Sequence, residues 1–271
     1  MLKPNHINLL GGGVNESARY KRVLALASNF HKSLAFTLAE VLITLGIIGI
    51  VAAMVIPSLI NAYQKHVTVT RLKQTYAQIT QAVKLSEADN GDITGWDMGS
   101  ATQGNTAINS INKHFAQTYI LPYLKYSRTC DSSNSYCESS GQKRNINNTG
   151  GGGTRWDQVY SAFLMTGVQL FFSARNTYAV ILVDINGNSK PNMFGKDTFL
   201  FTLAKGKKIA PIVNIEKPGV YMYGEGQSRK KLLSSGYNNY LCSKSGGRAA
   251  GTYCGALIKE DGWKISKDYP W

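Results

Sequence analysis

Residues able to do chemistry are few and scattered in this chain of 271 amino acids. The four histidines, His6, His31, His66 and His114, stand apart from one another. Gly-x-Ser-x-Gly, His-Glu-x-x-His and phosphate-loop patterns are absent, and the Gly11-Gly12-Gly13 run lacks a following Gly-Lys-Ser/Thr. His31 falls before the longest apolar run and His66 just after it, poor places for catalysis. The chain reads as a non-enzyme.

Three other sets of residues carry chemical information. Asp184-x-Asn186-x-Asn188 offers oxygen ligands at alternate positions, as calcium loops do, with Asp197 placed to close the set. It is not an EF-hand, because Gly187 is fourth in the run and no Glu occupies the twelfth place. The competing reading is a tight loop whose Asx side chains bond their own backbone. The four cysteines, Cys130, Cys137, Cys242 and Cys254, lack Cys-x-x-Cys spacing and have no neighbouring histidine, which argues against zinc. Their even number suits disulfides in an oxidising compartment. Three connectivities are open, of which the two local pairings close short polar loops. Lastly, Glu40 is the single charge between Phe36 and Ile56. An acid there is expensive in lipid and calls for a function and a partner.

The element that positions Glu40 is the run from Ala35 to Ile60. Helical rise is about 1.5 Å per residue, so some 20 residues span the roughly 30 Å hydrocarbon core of a bilayer. The run is longer than the apolar region of a secretory signal peptide. Pro57 falls where the apolar residues give way to polar ones, a place to kink or soften the helix.

Phe36-Thr37-Leu38-x-Glu40, the apolar run and Pro57 together are similar to the N-terminal helix of type IV pilins and type II secretion pseudopilins. The resemblance covers about a tenth of the chain and rests on a specific motif. It implies cleavage by a prepilin peptidase between Ala35 and Phe36, followed by methylation of the new amine. Glu40 is then the fifth residue of the mature chain and Pro57 the twenty-second, as in the family. Ala35 departs from the pattern, which usually has Gly before the cut. The implied fold is α+β and pilin-like: a long N-terminal helix, its first half transmembrane, packed on a small antiparallel sheet, with a loop-rich C-terminal region. Some pseudopilins also bind calcium in a loop of their sheet, and the Asp184–Asp197 segment resembles such a loop. A cysteine-bounded C-terminal region is a further pilin-like trait.

The remaining patterns divide the chain accordingly. Residues 1–35 read as a cytoplasmic leader, with Arg19, Lys21, Arg22 and Lys32 against one acid, Glu16. Residues 36–90 read as one helix, transmembrane over about 36–60 and amphipathic over about 61–90. Tyr63, Val67, Leu72, Tyr76, Ile79 and Val83 recur at helical steps there, and Asp89-Asn90-Gly91 signals the stop. Residues 91–271 form the globular domain. Within it, 92–110 reads as loop, 111–121 as a short helix ending at Pro122, and 138–154 as a flexible insertion closed by four glycines. Runs at 168–172, 178–183 and 198–203 predict three strands of an antiparallel meander, with 173–177 as a hairpin connection. Tyr269 and Trp271 read as core residues.

A formal charge of +14 would suit nucleic acid, anionic lipid or acidic polysaccharide. Its densest clusters, Lys205, Lys207, Lys208 and Arg229, Lys230, Lys231, are small and far apart, so a solvated basic surface is the expectation and nucleic acid is unsupported. The sequence thus points to a structural subunit, major or minor, of a type IV pilus or type II secretion-like filament. It would sit in the bacterial inner membrane as a single-pass protein with a periplasmic domain, then enter a filament. Expected partners are the prepilin peptidase, other pilin or pseudopilin subunits met through the N-terminal helix, the inner-membrane assembly machinery and membrane lipid. The alternatives are a filament-tip module that captures DNA or polysaccharide, and an unprocessed bitopic periplasmic protein. No cofactor is expected beyond the calcium reading of the 184–197 loop.

Overall fold

The computed structural model describes residues 36–99, 105–131, 143–150, 159–187, 189–209, 212–235 and 239–271. The leader 1–35, Cys137, Asn188 and most of the 138–154 insertion lie outside them. Helix α1 runs from Leu38 to Asn90, 53 residues, and continues through Pro57. The chain divides into two compact units, Met1–Ser58 and Leu59–Trp271, so the boundary falls one residue after Pro57, within α1.

In the first unit every residue from Phe36 to Ser58 is exposed except Ala52, which is half-buried. An apolar surface of this extent is unfavourable in water, and α1 is long and apolar enough to cross a membrane.

In the second unit α1 changes character. Leu72, Ile79 and Val83 of the predicted stripe are buried, together with Thr75, Ala82 and Ser86 at helical steps, whereas Tyr63 at its start is exposed. The buried residues pack on a six-stranded antiparallel sheet in simple sequential order. Its strands are β1 (Tyr126–Cys130), β2 (Ser161–Leu164), β3 (Gln169–Arg175), β4 (Tyr178–Asp184), β5 (Thr198–Lys205) and β6 (Pro218–Met222). Tyr76 anchors the contact. Its ring meets Phe201 edge-on at 5.7 Å and Trp263 at 5.6 Å, and its hydroxyl donates to the Val220 carbonyl at 2.8 Å.

The predicted meander is present as β3, β4 and β5. Their residues are buried almost without alternation because the sheet is covered on both faces. On the face that carries Val180 and Leu200 lie Tyr223, Tyr240 and the loop from Asn239 to Thr252. The hairpin between β3 and β4 is tighter than predicted: Arg175 pairs with Tyr178, leaving only Asn176-Thr177 as the turn. The three added strands carry weak signals. β1 is polar and mostly exposed, β2 has four residues, and β6 opens with Pro-Gly, which suits an edge.

Residues 92–110 do not form one loop. Ile93–Gly95 make a 3₁₀ turn, and helix α2 begins at Asn105 and runs to Phe115, continuing in a π-type turn and a 3₁₀ turn to Tyr123. Tertiary contacts decide this: Asn112 Oδ1 accepts from the Ala174 backbone of β3 at 2.8 Å, and Phe115 is fully buried. Helix α3 (Cys254–Glu260) adds a further element, with Cys254 to Ile258 buried. Tyr269 is buried, donating its hydroxyl to the Gly195 carbonyl, while Trp271 is only half-buried.

Candidate functional site

The N-terminal motif presents Phe36 with 83% of its surface exposed. Thr37 and Glu40 bond each other reciprocally. The Glu40 carboxylate accepts from the Thr37 amide at 2.9 Å and hydroxyl at 2.8 Å, and the Glu40 amide donates to Thr37 Oγ1 at 3.2 Å. This is a capping box, which satisfies amides that the first turn of a helix leaves unpaired. The Thr-x-x-Glu signal is legible in the sequence, yet a reading that treats Glu40 only as an acid in lipid misses it. Glu40 therefore has a local structural use as well as its charge. Ala35 lies outside the described residues.

The 184–197 loop is built on the end of β4 and the start of β5, paired as Asp184 opposite Thr198. Asp197 accepts from the Met193 amide at 2.6 Å, the Asn192 amide at 2.7 Å and Asn186 Nδ2 at 3.2 Å. Asp184 accepts from the Asn186 amide at 3.2 Å, an Asx turn. Asp184 is fully buried, and its partner is Lys143, itself only 5% exposed, whose ammonium also donates to Asn192 Oδ1 at 2.9 Å. Burial pushes the Asp184 carboxyl up to about 6, against the opposing pull of Lys143.

The described members of this donor set are not gathered around one centre, and Asn188 lies outside the described residues. A calcium site needs oxygens turned inward on a common centre. Here Asp184 already faces a cation supplied by the chain, and Asp197 is turned onto backbone amides. Asn186 brings its amide nitrogen to Asp197, leaving its Oδ1 buried without a partner. Among the described residues no group of three or more His, Cys, Asp or Glu could hold a metal ion. Sequence reasoning missed Lys143 because it lies 41 residues before Asp184 and within the 138–154 segment read as a flexible insertion, of which 143–150 instead packs into the domain, with Lys143, Asn145 and Ile146 buried.

Cys242 and Cys254 form a disulfide, one of the two local pairings. Cys130 is disulfide-bonded too, and Cys137 lies outside the described residues. The 242–254 bridge backs onto the loop: a side chain at Gly195, where φ is +82°, would meet Cys254 Sγ at 2.7 Å. On the face of the sheet that carries Val180 and Leu200, a cavity of about 620 Å³ is lined by Arg175, Arg248, Tyr178, Tyr223 and Tyr240 among others. Burial holds the Tyr223 hydroxyl well above the usual phenol range.

An exposed apolar helix opened by Phe-Thr-Leu-x-Glu, continuing onto an antiparallel sheet, defines the class. Residues 31–56 match the model of the prokaryotic N-terminal methylation motif, the signature of type IV pilins and pseudopilins, and the fold is pilin-like. Residues 58–271 match the model of a family of unknown function (DUF6613), and the chain belongs to that family. No curated protein and no solved structure matches the chain.

Proposed function

We propose that the chain is a structural subunit of a type IV pilus or type II secretion-like filament, held in the inner membrane until assembly. The observation that carries this reading is the exposed apolar half of α1 beginning at the cleavage and methylation motif. Such a helix has two stable destinations, a bilayer and a bundle of like helices, and a processed subunit moves from the first to the second. Burial of some 20 apolar residues per subunit drives the association at roughly 25 cal/mol per Å² of apolar surface. Contacts of head-to-tail type, which do not close, give a fibre rather than a ring. In the bundle the Glu40 carboxylate lies near the new amine of a neighbouring Phe36, and the two charges offset each other. The partners are a prepilin peptidase and other pilin-type subunits.

The test is the N-terminus. Protein extracted from membranes of cells with an active prepilin peptidase is expected to begin at an N-methylated Phe36. A mature chain that retains residues 1–35 in such cells would overturn the proposal.

A further inference from the structure

The Lys143 cluster has a chemical potential that neither the filament reading nor the ion pair uses. We propose that Lys143 and Asn192 become joined by an isopeptide bond, an amide between Nζ and Cγ, with Asp184 relaying the proton and ammonia as the leaving group.

The reacting groups are already held together. Lys143 Nζ donates to Asn192 Oδ1 at 2.9 Å and to the Asp184 carboxylate. The two backbones run side by side: the Arg144 amide donates to the Asn192 carbonyl at 2.8 Å and the Phe194 amide to the Arg144 carbonyl at 2.8 Å. The Asp197 carboxylate accepts from the Asn192 backbone amide at 2.7 Å. Both side chains are thus set from their main chains, and fixed proximity of this kind converts a slow bimolecular acylation into an intramolecular one. Water is scarce, since Lys143, Asp184 and Asn192 are at most 6% exposed. One wall is the buried Phe171 ring, whose centroid is 5.3 Å from Nζ.

The step balances with what the chain holds. Nζ is hydrogen-bonded directly to the Asp184 carboxylate, so an ammonium proton can pass along that bond and leave a nucleophilic amine. The amine lone pair forms the Nζ–Cγ bond as the Asn192 carbonyl π pair moves to Oδ1. When that pair returns, the Cγ–Nδ2 bond breaks. Asp184 hands its proton to Nδ2 and takes the second Nζ proton, which leaves with ammonia as ammonium. No oxidant or co-reactant enters. The product is a covalent ring from residue 143 to residue 192 that encloses β2, β3 and β4. These strands could then not be drawn out of the sheet by tension on the chain.

The experiment is peptide mass mapping of the full-length protein purified from membranes, reduced and cut with trypsin. The expected result is a branched pair of peptides joined through Lys143 and Asn192, lighter than their sum by about 17 Da, the mass of ammonia. Separate unmodified peptides would overturn the proposal. A pair lighter by about 18 Da, joined through Asp184 with loss of water, would overturn it equally. Lys143→Met, Asn192→Ala and Asp184→Asn are each expected to give unlinked peptides. In a parallel unreduced sample the Cys242–Cys254 bridge reports whether a variant has folded, and persistence of the link in folded Asp184→Asn would remove the relay. If every variant misfolds, the wild-type masses still decide.

Discussion

Glu40 closes a capping box and has a proposed role in assembly, and the two can be separated. As a hydrogen-bond acceptor it closes the capping box with Thr37. As a charge it is the single acid in a surface otherwise fit for lipid, and its proposed partner is the amine of another subunit. Gln keeps an acceptor oxygen and loses the charge, whereas Val loses both. Glu40→Gln is therefore expected to insert and stay helical like the wild type while its filament yield falls. Glu40→Val additionally loses a cap worth about 1 kcal/mol. Sheared-filament yields at equal membrane levels make the comparison. A Gln variant that assembles as well as the wild type would assign Glu40 to capping alone.

At the scale of the element, α1 is one helix whose two portions answer to different solvents. Ile79 is fully buried against the sheet, and Ile47 is 58% exposed. Ile79→Ala is expected to destabilise the folded domain by about 2–5 kcal/mol through lost burial and a residual cavity. Ile47→Ala should leave thermal unfolding of the domain unchanged and reduce filament yield instead. Both variants are measured in the full-length protein in detergent. A lowered melting temperature in Ile47→Ala would contradict this division of labour. The apolar run and the helical periodicity were both readable in the sequence, because each is a local pattern. The start of α2 was not, since Asn105–Ser110 has no apolar stripe of its own, and Asn112 and Phe115 acquire their partners only when β3 is in place.

At the scale of the whole molecule, the C-terminal segment is tied down by Arg229. Its guanidinium donates to Asp261 at 2.6 Å and to Asp268 at 2.8 Å, residues 32 and 39 positions further along the chain. The hydrogen bonds from Arg229 hold both carboxyls below the ordinary aspartate value of 3.8. A carboxyl with a depressed folded value stabilises above its unfolded value and loses that contribution as pH falls through the folded one. Asp184 runs the other way. Its folded value is raised, so its own contribution to stability grows as pH falls from about 6. Comparing the wild type with Arg229→Gln at each pH cancels Asp184, which both share. The melting-temperature gap between them is expected to be full above about pH 4 and to close as the solution is made more acidic. A gap that is the same at neutral pH and in strong acid would mean that the network adds nothing through charge.

The sequence by itself determined the N-terminal motif, the membrane-length run, the amphipathic face from Leu72 to Val83 and the three central strands. Each of these is fixed by spacing within a few residues, and spacing is what a linear reading can see. The 184–197 loop marks the limit. Its Asp and Asn residues have the composition of a cation site, and only the tertiary structure decided what Asp184, Asn186 and Asp197 face. Lys143 reaches Asp184 across 41 residues and Asn192 across 49, by contacts that no local period encodes. A buried carboxylate calls for a neutralising charge, and the fold brings the Lys143 ammonium to Asp184 because the backbones at Arg144 and Asn192 pair.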